Sequence, residues 1–231
     1  MKLMKQLTPL YLLVIVVILS VVITTDKVVS VMANAAADRY DRVYIIDAGH
    51  GGIDGGATSC TGILESQLNL EIALRLDDLM HMLGYKTLMI RTTDKSVYTS
   101  GNTIAAQKVS DLKERVRIVN ETNNGILISI HQNIFGDGKY AGAQVFYSND
   151  PESKSIAGKL QTNLIHFLNP GSHRKSKRAD GVYLMEHISR PGILVECGFL
   201  SNIEEEANLR SAAYQQQLCA VIATTIVSHF R

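Results

Sequence analysis

The chain has 231 residues, 46% of them hydrophobic and 19% charged, with a formal net charge of +1. That length suits one domain of ordinary size with an N-terminal appendage, and so small a charge excludes a broad electrostatic surface for nucleic acid, so no nucleic-acid partner is expected. Tryptophan, a favoured sugar-stacking residue, is absent, which does not exclude a glycan substrate.

The first element is not globular. Lys2 and Lys5 precede an apolar run from Leu10 to about Thr25, closed by Asp26 and Lys27. A positive start followed by such a run describes an export segment and places the rest of the chain outside the cytoplasm. Ala33-Asn34-Ala35 reads as a small-x-small cleavage site. A cleaved signal peptide and an uncleaved membrane anchor are therefore both open for residues 1–37, with the folded domain expected over residues 38–231.

After Ala37, strand-like runs alternate with helical periods. "RVYIIDAGH", Arg42 to His50, is a strand entering a glycine-rich turn. From Glu65 to Leu83 the residues Leu68, Ile72, Leu76, Leu79 and Leu83 recur at helical spacing, and Gly84 ends the helix. "KTLMIR", Lys86 to Arg91, is the next strand; residues 95–107 are polar and irregular. A helix is expected over Asp111–Thr122, with Leu112, Val116 and Val119 on one face. "GILISIH", Gly125 to His131, is the continuous apolar strand of a sheet buried on both faces.

The second half continues with a strand "AQVFYS" and a helix from about Pro151 to Leu168. The basic stretch His173–Arg178 reads as a solvated loop, with contact to an anionic substrate or membrane phospholipid as the lesser reading. A short strand "GVYLM", the strand that carries Glu196 and a final helix from about Ala212 to Phe230 complete the chain. This alternation predicts an α/β single domain whose mostly parallel sheet is covered by helices on both faces.

Three cysteines, Cys60, Cys197 and Cys219, make no paired framework. Free thiols are expected at Cys60 and Cys197, which the sequence places near one site, with a disulfide as the lesser outcome. Cys219 is expected in the core of the last helix.

In such sheets, ligands gather at the carboxyl ends of strands. His50, His131 and Glu196 each lie at one, and Glu65 opens the long helix. Two histidines and one carboxylate form the protein ligand set of a catalytic zinc, and a further carboxylate can act as general base. Taken singly, each has a plainer reading. His50 can be a surface histidine, Glu65 a first-turn acid favoured by the helix dipole, and Asp47 a turn cap or a ligand's outer partner. The glycines from Gly49 to Gly56 do not form a phosphate loop, because no Lys-Ser/Thr or GxGxxG pattern accompanies them. Glu196 follows Ile193-Leu194-Val195, and a buried carboxylate needs a partner. That partner is the metal site or a buried cation such as Arg91 or Arg115.

Four stretches, "DAGHGGIDGGA", "GILESQLNLEIALRL", "LISIHQN" and "PGILVECGFLSNIEEEANL", follow one another from about Val43 toward the C-terminus. Together they resemble the zinc-dependent N-acetylmuramoyl-L-alanine amidases of the AmiC/CwlV type. The resemblance implies a roughly six-stranded α/β domain that cleaves the amide between muramic acid and the L-alanine of the peptide stem in peptidoglycan. It implies one zinc per chain, held by His50, Glu65 and His131, with Glu196 as the catalytic glutamate. Ala48 stands where the family often has proline, and Gln132 where it often has a small residue. The lack of cell-wall-binding repeats, the polar insertion before "KVSDLKERV" and the cysteine after Glu196 resemble the sporulation branch, which acts on spore cortex. That branch implies muramic-δ-lactam formation, needed for germination. An accessory protein or a homodimer is open as partner. The competing readings are a vegetative autolysin of the same chemistry, a zinc metallopeptidase, an inactive binding module and a membrane-anchored scaffold.

Overall fold

The structure, a computed structural model, describes residues 41–136 and 138–230, so the expected leader over residues 1–37 lies outside it. No helix among the described residues is long and apolar enough to cross a membrane. Six strands, β1 (Val43–Ala48), β2 (Lys86–Met89), β3 (Gly125–Asn133), β4 (Gln144–Tyr147), β5 (Lys177–Arg178) and β6 (Gly192–Phe199), form one sheet in the order β2-β1-β3-β6-β4-β5. β1, β2, β3 and β6 are mutually parallel; β4 runs antiparallel to β6, and β5 is parallel to β4. The mostly parallel α/β sheet is as expected.

Strand alternation divides the core in two. Ile46, Ile128 and Val195 point to one face, where α1 (Glu65–Met82), α3 (Pro151–Phe167) and α6 (Ala212–His229) cover them. Ile45, Leu127 and Leu194 point to the other, where α2 (Ile104–Glu121) and α4 (Tyr183–His187) lie. In α1, Leu68, Ile72, Leu76 and Met80 form a buried row at four-residue spacing. Met80 takes the inward place, and Leu83 is exposed at the helix end.

Three local expectations are corrected. α2 begins at Ile104 rather than Asp111, because the Thr103 side chain caps it by accepting from the Ala106 amide. Its inward face carries Ser110, Arg115 and Val119, while Leu112 is exposed. The stretch "GVYLM" is not a strand: residues from Tyr183 form α4, which buries the adjacent Leu184 and Met185 together and stacks Tyr183 on His187. The neighbouring strand is Lys177–Arg178, in the basic stretch read as a loop, paired with Phe146 and Tyr147. An extra helix, α5 (Ile203–Arg210), is started by Asn202, whose side chain accepts from the amides of Glu204 and Glu205.

The parallel strands β1, β3 and β6 end on one edge of the domain, and β4, running the other way, starts there. That edge carries the polar residues singled out in the sequence.

Candidate metal centre

β1 ends at Ala48, and the next turn holds His50 at φ 61, a conformation uncommon outside glycine. The turn closes through Gly51 N to Asp54 O at 2.7 Å and Asp54 N to Gly51 O at 3.1 Å. It thereby returns the Asp54 carboxylate to His50 Nδ1, at 2.8 Å. The other ring nitrogen, Nε2, faces Glu65 Oε2 at 3.3 Å.

Glu65 is the first residue of α1, and its amide donates to Ala57 O at 2.8 Å. Its carboxylate is held from several sides. Oε2 accepts from the Ala57 amide at 3.0 Å, and Oε1 accepts from Asn69 Nδ2 at 3.2 Å and the Gln132 amide at 3.1 Å. His131 Nδ1 lies 3.0 Å from Oε1. One donor atom each from His50, Glu65 and His131 lies within 4.8 Å of the other two. The structure thus brings together the three residues expected as ligands.

Glu196 joins them from β6. It is the register partner of His131, so its Cα lies one strand away. Its Oε2 is buried with no hydrogen-bond partner. The alternative of a buried cation fails on geometry, because both arginines are committed elsewhere. Arg115 pairs with Asp47 and Asp111 and donates to Ala48 O and His50 O. Arg91 donates to the carbonyls of Ala48, Gly49, Ser66 and Thr93. The two guanidiniums hold the backbone of the turn that carries His50.

The electrostatics follow from these contacts. Burial works against the Glu65 carboxylate, yet hydrogen bonds and charge from His131 and His50 hold it far below the usual range. Burial also disfavours charged His50, but Glu65 and Asp54 prevail and raise it to about 9. Glu196 goes the other way: burial, reinforced by the Glu65 charge and opposed by the histidines, raises it to about 7.

Two glycines leave room for these groups. A Cβ on Gly49 would come within 2.3 Å of the His131 ring, and one on Gly56 within 2.6 Å of Glu65 Oε2. Two imidazoles and a fully held carboxylate, next to a second carboxylate lacking a partner, suit a divalent cation with an open side.

Some expectations shift. Asp47 partners neither histidine; it is buried against Arg115 and Ser129. Asp54 is the outer partner of His50, and its place four residues after His50 in the glycine-rich turn is the signal that could have shown it. Asn69, one helical turn after Glu65, was likewise missed; Gln132 donates to Asn69 Oδ1 at 3.2 Å as well as to Glu65. All three cysteines are free. Cys60 is exposed, and Cys197 points away from Glu196 into the core, as does Cys219.

Known proteins match this chain in sequence and in fold. The family model described as Amidase_3, N-acetylmuramoyl-L-alanine amidase, matches residues 45–228. The germination-specific N-acetylmuramoyl-L-alanine amidase of Bacillus subtilis (strain 168) is 35% identical over 195 residues, covering 82% of this chain and 80% of the relative. The N-acetylmuramoyl-L-alanine amidase AmiA of Escherichia coli (strain K12) is 28% identical, covering 82% of this chain and 76% of the relative. Among solved structures, the CwlD amidase from Clostridioides difficile in complex with the GerS lipoprotein superposes with a TM-score of 0.77 at 35% identity. That match covers 81% of this chain and 98% of that one.

Proposed function

The chain belongs to the N-acetylmuramoyl-L-alanine amidase family and acts on peptidoglycan, and on that premise we propose that it does so with one zinc, in the spore cortex. His50, Glu65 and His131 would hold the ion, and Glu196 is the general base. The observation that carries this reading is the convergence of three donor atoms within 4.8 Å beside a buried Glu196 oxygen that has no partner.

A bound zinc supplies Lewis acidity toward the amide carbonyl and toward water. The remaining chemistry belongs to the protein. Asp54 fixes the His50 ring through Nδ1 and leaves Nε2 turned to the site. The Ala57 and Gln132 amides and the Asn69 side chain lock Glu65, so that its oxygens do not compete for a proton. Glu196 has a free oxygen and a carboxyl raised to about 7, close to a working pH. It takes a proton from the attacking water and returns it to the L-alanine nitrogen, since an amine leaves poorly as an anion.

The cortex assignment is supported by the germination-specific relative and by the motifs shared with the sporulation branch. The Clostridioides difficile structure contains a lipoprotein partner, which supports an accessory lipoprotein for this chain too. Lys2, Lys5 and the apolar run after them support an exported domain. The test is mass spectrometry of cortex fragments digested by the zinc-loaded protein. Glycan chains that have lost whole peptide stems, with L-alanine as the new amino terminus, are expected; cuts within the stem would point to a metallopeptidase instead.

A further inference from the structure

A cavity of about 830 Å³ opens on the β4 side of the same edge, walled by the 141–144 segment, the 168–175 loop, Lys177 and Glu205. It contains none of the four residues of the metal centre. Two contacts tie it to that centre. Gln144, in its wall, is the register partner of Glu196, so the strand that enters the cavity wall lies directly beside the strand of the general base. Arg174 lies 4.7 Å from the ring centre of Phe199, three residues past Glu196, and donates to Ala141 O at 2.9 Å.

The wall is cationic. Arg174, Lys175 and Lys177 line it, with Glu205 as its carboxylate. Glu205 is turned to the backbone: its oxygens accept from the Gly142 and Phe199 amides, each at 2.8 Å. It offsets the charge of Arg174, with which it interacts, and leaves the wall cationic through Lys175 and Lys177, which are exposed. A volume of this order suits a small ligand or a short peptide.

The substrate has two arms at the scissile amide. The glycan arm is largely neutral and the peptide arm carries carboxylates. We propose that this cavity holds the acidic peptide stem, with Lys175 and Lys177 facing its carboxylates and Arg174 fixing the wall. The proposal rests on the amidase reading above and names the site that selects the anionic arm. It also gives the basic stretch His173–Arg178 a role that the metal centre leaves unused.

The test uses the zinc-loaded full-length protein and the double variant Lys175→Gln/Lys177→Gln, whose exposed positions leave the fold intact. Calorimetric titration compares a synthetic L-alanine-headed stem peptide bearing free carboxylates with its amidated counterpart. Wild type should prefer the acidic peptide about tenfold and the variant should lose that preference. On stem-bearing glycan the variant should show the same rise in KM at unchanged kcat. Equal affinity of wild type for both peptides, or a preference kept by the variant, overturns the assignment. Loss of binding to phosphatidylglycerol vesicles in the variant, with the peptide preference intact, overturns it in favour of a membrane contact. Wild type that discriminates the peptides but releases no stem from glycan supports the cavity and defeats the amidase reading; release without discrimination does the reverse.

Discussion

Glu196 and His131 are register partners across the β3–β6 ladder, yet it is Glu65, from α1, that holds His131 Nδ1, at 3.0 Å. The two glutamates differ in what surrounds them. Glu65 accepts from two backbone amides and a side-chain amide, while Glu196 Oε2 accepts from nothing. A carboxylate fully occupied by fixed donors is a structural anchor or ligand. A buried one with a free oxygen is available for a proton. The division of labour between metal holding and proton transfer follows from this difference.

Asp54 should matter for metal binding although it is no ligand. Its carboxylate holds His50 Nδ1 at 2.8 Å and is itself held by Lys108 Nζ at 2.7 Å. Losing such an outer partner costs on the order of 10–100-fold in metal affinity. Asp54→Ala should therefore bind zinc that much more weakly, in competition with a chelator, while keeping its melting temperature in the metal-free form. Unchanged affinity would show that the glycine turn alone orients His50.

Arg115→Met should destabilise the fold. Arg115 and Asp47 are both buried and paired, and breaking such a pair costs about 3–5 kcal/mol. Burial pushes the Asp47 carboxyl up, but Arg115 and Ser129 hold it below its ordinary value. A depressed carboxyl stabilises the fold above its unfolded pKa, about 3.9, and that contribution is lost as pH falls through the folded value. The stability gap between wild type and variant, from urea unfolding, should thus be full at pH 7 and shrink below about pH 4. A gap that does not change with pH would assign Arg115 a packing role only.

Metal affinity should rise with pH. In the metal-free protein His50 is protonated up to about pH 9, since Glu65 and Asp54 outweigh its burial. A metal ion must displace that proton, because only the neutral ring ligates. The apparent zinc affinity should climb by about tenfold per pH unit between roughly pH 6.5 and 8.5, and flatten above about 9. A flat profile over that range would mean that His50 does not ligate.

Much of this was legible in the sequence. The apolar runs of β1, β3 and β6 and the period of α1 are strong signals, and they carry His50, His131, Glu196 and Glu65 to one edge. What escaped was set by contacts distant in sequence or by capping. α2 extends back to Ile104 through a single Thr103 cap, and its inward face is chosen by Arg115 reaching Asp47 rather than by leucines. Residues 181–185 read as a strand because apolar residues cluster there, but only a helical turn, over Tyr183–His187, buries Leu184 and Met185 together. Asp54 was overlooked because its role depends on a tight turn that no hydrophobic period reports.

The most direct test of the account is Glu196→Gln, with zinc content, thermal stability and stem release measured on one preparation. Glutamine keeps the size but cannot accept the proton. The account predicts full zinc, a melting temperature no lower than that of wild type, and stem release reduced on the order of 10²–10⁴-fold or more. Stem release near the wild-type rate, with full zinc, would contradict it.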